Sequence, residues 1–293
     1  MFRVGILGTE NSHAMAFAKI LNGLDEQFVG QFEDFRVVAV GGIDPEASKN
    51  VASTCGIDII VEKPEEMLQM VDAVMITCRD GKYHAPYARP FIEAGIPAFI
   101  DKPFTSNPAE AVALAKLAKV KNVPLVGGSS VKLTDAVLKL KELADKQENT
   151  LVGGDVTAPV SLTNEYGNFW FYASHLAECC LTIFGQNVEW VWANRTEKGV
   201  SVIVHYPTFD VTNHFTEGVY DYSGTVITSK GITYEPISLY NIYAKECDCF
   251  AAMIRTGVMS HTYEELVAPV YLMDAIIKSF ETSEKVYLEK FEI

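Results

Sequence analysis

Over the first 126 residues, short β-rich runs alternate with helical ones, and this restricts the fold more than any other feature of the chain. Strand, helix and strand in repetition close as a parallel sheet covered by helices. The strand candidates are Phe2 to Leu7, Arg36 to Val40, Asp58 to Val61, Ala73 to Thr77, Ala98 to Ile100 and Leu125 to Val126, enough for a doubly wound sheet. Helix signals fall between them. Asp44 and Pro45 read as N-cap and first helical residue, Pro64 opens a short helix, and Asn107-Pro108 opens a long Ala/Leu/Val helix to Asn122. Gly95 falls where a helix from Tyr83 to Ala94 would stop on a left-handed residue.

After Val126 the rhythm changes. A helix capped by Thr134 or Asp135 runs to about Gln147. Alternating β-type stretches follow at Thr150 to Leu162, Val188 to Asn194, Val200 to Tyr206, Val211 to Thr216, Thr225 to Ser229 and Ile232 to Glu235. Their hairpin-length connections predict an antiparallel sheet. Helices are expected at Trp170 to Phe184, Ile242 to Arg255 and Tyr263 to Glu281, with a last strand at Val286 to Leu288. The expected architecture is α/β: a Rossmann-type doubly wound domain over residues 1–126, then an α+β domain with a large, mainly antiparallel open sheet over 127–293.

Composition narrows the function. The 293 residues, at roughly 150 per domain, suit two domains or one large one. Lys and Arg number 24 against 38 Asp and Glu, a formal charge of −14, which repels nucleic-acid backbones and anionic membranes. No apolar run approaches the roughly 18 residues of a membrane span, and the apolar stretch at the amino terminus is too short for a signal-peptide core, so the expected location is the cytoplasm. The six cysteines contain no C-x-x-C pair, so neither a zinc ribbon nor a thioredoxin-type motif is expected.

The first strand ends at Gly8 and turns through Thr9, Glu10, Asn11 and Ser12 into a helix near His13. Such a turn points backbone N–H groups and the positive end of a helix dipole outward, which suits a pyrophosphate. The Gly-x-Gly-x-x-Gly fingerprint is incomplete: counted from Gly8, its later glycines fall on Glu10 and His13. An ordinary βα turn with Ser12 as N-cap is the alternative. At the end of the second strand Asp44 is placed either to read a ribose or to cap the helix opened by Pro45. Neither NAD nor NADP is singled out.

The most informative block runs from Asp72-Ala-Val-Met-Ile-Thr-Cys78 through Tyr83-His-Ala-Pro to Ile96-Pro-Ala-Phe-Ile-Asp101-Lys102-Pro103. It resembles the glucose-fructose oxidoreductase, inositol dehydrogenase and rhizopine-catabolism (Gfo/Idh/MocA) superfamily of NAD(P)-dependent oxidoreductases. In that family the fourth strand ends in a Thr-Pro-like pair, a His follows, and the fifth strand ends in Glu-Lys-Pro. The resemblance extends over nearly the whole chain, including the helix ending Leu181-x-x-Phe184-Gly185.

In an open α/β sheet ligands sit outside the carboxyl ends of the strands, so Lys102 is aimed at the cleft. Its ammonium can hold a nicotinamide ribose hydroxyl and polarise a substrate oxygen. Pro103 constrains the turn that presents it, and in relatives this Lys-Pro bond is often cis. The resemblance implies that His175 matches the histidine of an Asp-x-x-x-His motif on a helix facing substrate, where it would take the hydroxyl proton as hydride leaves. The family's aspartate is Phe171 here, while Glu178 lies one turn later on roughly the same face. Thr77 and Cys78 occupy the Thr-Pro positions, His84 matches the histidine after the fourth strand and is expected to pack near the cofactor, and Asp101 opens the triplet. His205, His214 and His261 make no metal set, and the aromatic run Phe169 to Tyr172 reads as core or as a sugar-stacking surface.

The resemblance implies hydride transfer between NAD or NADP and a secondary alcohol or ketone of a sugar, cyclitol or related polyol. It also implies a small-molecule substrate and a homodimer or homotetramer, because in relatives other subunits cover one face of the large sheet. The alternative is a non-catalytic sensor of a nucleotide or metabolite, and a third reading is a scaffold that no longer binds nucleotide. Glu10, His13, Gly42 and Phe171 are the departures that keep both open.

Overall fold

The structure, a computed structural model, describes residues 1–146 and 150–293. It contains two compact units, one made of Met1–Gly128, Tyr243–Leu266 and Ile293, the other of Ser129–Ile242 and Val267–Glu292.

In the first unit, strands β1 (Phe2–Leu7), β2 (Phe35–Gly41), β3 (Ile59–Val61), β4 (Ala73–Ile76), β5 (Ala98–Asp101) and β6 (Leu125–Gly128) pair in the order β3-β2-β1-β4-β5-β6. Every pairing is parallel. The central strands read as apolar runs because both faces are covered: all four residues of β4 and of β5 are buried. Helices α1 (Ser12–Leu21), α2 (Pro45–Cys55), α3 (His84–Glu93) and α4 (Pro108–Lys121) supply the cover. Asp44 and Asn107 cap α2 and α4 as their sequence predicts, and Gly95 takes the left-handed conformation after α3. Pro64 opens a short 3-10 helix, Pro64–Met67.

The strand order reverses at β1, which lies between β2 and β4. At such a point the crossovers run to opposite faces, leaving a crevice at the carboxyl ends where ligands bind. Beneath it Phe17, Phe35 and Phe99 form the core with Val4, Ile6 and Met75; burying each aromatic stabilises the unit by about 1.5–3 kcal/mol.

In the second unit, α5 (Asp135–Lys146) precedes β7 (Leu151–Val160), α6 (Phe169–Phe184), β8 (Trp190–Thr196), β9 (Gly199–His205), β10 (Asp210–Glu217), β11 (Ser223–Thr228) and β12 (Gly231–Pro236). Next comes α7 (Ile242–Thr256), expected with the second domain from its place in the chain. From Tyr243 onward it belongs to the first unit, where Ala244, Cys247, Phe250 and Ala251 join the core around Phe35. The helix α8 (Tyr263–Thr282) and β13 (Val286–Tyr287) complete the chain.

The second sheet has the order β12-β11-β7-β10-β9-β8-β13. It is antiparallel except where β7 lies parallel to β10, a pairing between segments far apart in sequence that hairpin lengths do not reveal. Within this unit α5, α6 and the length of α8 from Val267 on cover one face, around Val156, Leu176, Val191, Phe215, Leu272 and Ile276. Trp192, Ile203, Ile227, Ile232 and Tyr234 lie on the other face. Gln147, the expected end of α5, lies outside the described residues.

Candidate active site

The turn from β1 into α1 is closed by side chains. Gly8 has φ of 106° and its α-carbon lies so close to the backbone of Thr77 and Cys78 that a methyl group would overlap it. Thr77 Oγ1 donates to the carbonyls of Leu7 (3.1 Å) and Gly8 (3.2 Å), tying the exit of β4 to that of β1. The α1 N-cap is Asn11, whose side chain accepts the His13 N–H at 3.3 Å; Ser12, the cap that sequence suggests, is the first helical residue. Thr9 Oγ1 lies 2.7 Å from Ser48 Oγ, joining the turn to α2.

Glu10 reaches across the exit of β1. Its Oε1 accepts the Arg79 N–H at 3.2 Å beyond β4, and its buried Oε2 has no hydrogen-bond partner. A Cβ on Gly42, just past β2, would lie 2.9 Å from Oε2 and 2.8 Å from Thr9 Oγ1. Asp44 is a helix cap: its Oδ1 accepts the N–H groups of Glu46 (2.9 Å) and Ala47 (3.1 Å).

At the exit of β5, Asp101 is fully buried. Its Oδ2 lies 2.6 Å from His13 Nδ1 and accepts from Asn11 Nδ2 at 3.3 Å, while Oδ1 accepts the Lys102 N–H at 2.7 Å. The His13 approach is close but off the direction of a good hydrogen bond. Burial by itself would raise the Asp101 pKa; the charge and contact of His13, with Lys102 and His84, outweigh it and hold the carboxyl below its ordinary value. His13, at a glycine position of the fingerprint, thus serves as the carboxylate's partner.

Lys102 itself is only 4% exposed. A lysine is rarely so buried without a partner or a task, and this one follows directly on the buried carboxylate. The Lys102–Pro103 peptide bond is cis. His84 Nδ1 lies 2.6 Å from the Pro103 carbonyl and Nε2 lies 2.8 Å from that of Cys78, so the ring pins the exits of β4 and β5 together. Burial lowers its pKa, against the pull of Asp101. With both nitrogens facing backbone, His84 has a holding role. The Cys78 thiol is pushed far up by burial and by Glu10, which makes it unreactive.

In the second unit His175 sits on α6, buried, with Nδ1 2.7 Å from Ser129 Oγ. Glu178 Oε2, one turn on, accepts the Ser129 N–H and Lys132 Nζ, each at 2.8 Å. Phe171, where the resemblance implies an aspartate in relatives, packs against Tyr166 and Tyr172. Phe169 is core, against Phe215 and Phe280. Sequence reasoning missed Ser129 and Lys132. The signal was present: Gly127-Gly128-Ser129-Ser130 leaves the carboxyl end of β6, the end of a parallel sheet that carries ligands.

The first unit fits a dinucleotide. The β1 turn brings backbone and a capped helix start to the switch point, the Thr77 clasp fixes its neighbour, and the orphaned Glu10 oxygen is a buried acceptor in need of a donor. Among the described residues no group of three or more His, Cys, Asp or Glu side chains is placed to hold a metal, and no helix is long and apolar enough to cross a membrane.

Residues 2–128 match the model of an oxidoreductase family with an NAD-binding Rossmann fold. None of the curated proteins matches the chain in sequence. Among solved structures, a protein described as a probable dehydrogenase from Thermotoga maritima is 17% identical, with a TM-score of 0.83 over 97% of this chain and 98% of that one. The scyllo-inositol dehydrogenase from Lactobacillus casei, solved with NAD(H) and scyllo-inositol, is 14% identical with a TM-score of 0.84 over 98% and 99%. A myo-inositol dehydrogenase from Corynebacterium glutamicum is 17% identical, with a TM-score of 0.81 over 99% and 100%. At these identities the likeness is one of fold. With the strand order, the β1 turn and the Asp101-Lys102-Pro103 triplet, residues 2–128 match the NAD-binding Rossmann domain of the Gfo/Idh/MocA oxidoreductase family.

Proposed function

We propose that the protein is an NAD(P)-dependent oxidoreductase moving hydride between the nicotinamide and a secondary alcohol or its ketone, on a cyclitol, sugar or related polyol. The observation that carries the reading is Lys102, a buried ammonium delivered at the exit of β5 beside a fully buried carboxylate. The substrate class rests on the inositol dehydrogenases among the structural relatives.

The turn from Gly8 to Ser12 holds the pyrophosphate at the start of α1, with Thr77 fixing its far wall and His84 fixing the Cys78 and Pro103 backbone. When bound, the nicotinamide supplies the acceptor for a hydride. Lys102 binds the substrate oxygen and stabilises the negative charge that develops on it. His175 takes the hydroxyl proton during oxidation and returns it during reduction. Asp101 keeps Lys102 and His13 in place. The second unit supplies the substrate-binding role and, through the sheet face bearing Trp192, Ile203 and Tyr234, the contact of a homodimer or homotetramer.

Phe171 favours a second reading, a sensor that binds the cofactor and transfers nothing, because it puts an aromatic ring where the family carries a carboxylate. A panel of inositols and sugars with NAD and NADP separates the two. The enzyme reading expects reduction of the coenzyme, with kcat lowered about 10²–10³-fold in Lys102→Ala while coenzyme binding persists. Binding without turnover on any panel member supports the sensor; no binding contradicts both.

A further inference from the structure

In a doubly wound sheet the adenosine ribose is read at the end of the second strand, where an acidic side chain accepts its hydroxyls. In this chain that end offers no such group. Gly42 has no side chain, Ile43 is apolar, and Asp44 is turned to α2 as its cap, with Oδ1 engaged by two N–H groups.

The missing acceptor arrives from another element. Glu10 projects from the β1 turn, Arg79 N–H holds one of its oxygens, and the other comes to within 2.9 Å of where a Gly42 side chain would begin. That space is open to Glu10 because residue 42 is glycine. The oxygen there is buried with no donor in reach. An unsatisfied buried carboxylate oxygen is costly, and a ligand hydroxyl removes the cost where a phosphate, which brings only acceptors and charge, adds to it.

We propose that Glu10 is the ribose-reading residue of this protein, accepting the 2′-hydroxyl of the adenosine half of NAD and excluding the 2′-phosphate of NADP. The inference rests on the dinucleotide reading above and deepens it by naming the coenzyme and the residue that selects it. Glu10 thus takes over, from the first turn, the duty that Gly42 cannot perform. Its place in the broken fingerprint is then a feature of recognition, with the carboxylate anchored between the exits of β4 and β2.

Calorimetric titration of the full chain with NAD, NADP and 2′-deoxy-NAD, repeated on Glu10→Gln, tests this. The wild-type protein is expected to bind NAD at least about tenfold tighter than either analogue. Glu10→Gln is expected to lose most of the preference over NADP, chiefly by binding NADP better. The 2′-deoxy-NAD measurement on the wild type stands even should Glu10→Gln fail to fold. Equal wild-type affinity for NAD and 2′-deoxy-NAD, or an equal gain for NAD and NADP in Glu10→Gln, overturns the role of Glu10 and leaves the dinucleotide reading intact. Failure of every dinucleotide to bind wild type and variant alike overturns both.

Discussion

Ser129 Oγ lies 2.7 Å from His175 Nδ1, and the same oxygen accepts the Val131 N–H at 3.2 Å. With one lone pair committed to Val131, the hydroxyl keeps a second for an Nδ1–H, and in that tautomer Nε2 is unprotonated and able to take the proton that the proposed function assigns to His175. Ser129→Ala is therefore expected to lower kcat about tenfold with a smaller change in KM, and to displace the pH profile of kcat/KM. Ser129→Thr, which keeps the hydroxyl, is expected to restore the profile. An unchanged profile in Ser129→Ala would separate Ser129 from the proton carried by His175.

Lys132 and Glu178 form an ion pair at 2.8 Å, with side chains only 10% and 5% exposed. Removing one partner of a buried pair strands the other charge, at a cost of about 3–5 kcal/mol. Lys132→Met is expected to be destabilised by that order in urea denaturation, and Lys132→Met with Glu178→Leu by less. A double variant no more stable than the single one contradicts this account.

The association of α7 with the first unit also has a measurable consequence. Phe250 is fully buried, with its ring 6.1 Å from that of Phe35. Phe250→Ala is expected to cost about 3–5 kcal/mol. A fragment ending at Gly128 is expected to expose the surface around Phe35 and to aggregate or bind a hydrophobic dye. A monomeric fragment with a cooperative melt like that of the full chain would contradict the expectation.

Asp101 makes a prediction in acid. Its folded pKa lies below the ordinary 3.8, since His13, Lys102 and His84 outweigh burial. The folded state therefore binds the proton less readily than the unfolded chain. Asp101 contributes stability that is present above about pH 3.8 and lost as pH falls through the folded value. Asp101→Asn is expected to be less stable than wild type at neutral pH, with the gap closing below pH 3.8. A gap independent of pH would contradict this.

Where local chemistry sets an element, the sequence is a good guide. β1 spans the residues its apolar run predicts, and α4 begins at the Asn107-Pro108 pair for the reason that pair implies. The triplet Asp101-Lys102-Pro103 was legible because its chemistry is contiguous in the chain. Three features were not. The parallel pairing of β7 with β10 joins segments more than fifty residues apart, the place of α7 depends on the core it covers, and the direction of the Glu10 carboxylate is fixed by Arg79 and Gly42, each distant in sequence. Ser129 was hidden likewise, since its partner His175 lies on a helix 46 residues away.

The most direct test of the central claim follows the absorbance of reduced nicotinamide when NAD is mixed with a panel of inositols, comparing wild type with Lys102→Ala after both have been shown to bind NAD. The account predicts turnover of at least one inositol by the wild type and a loss of about 10²–10³-fold in the variant. Undiminished turnover in Lys102→Ala would contradict it.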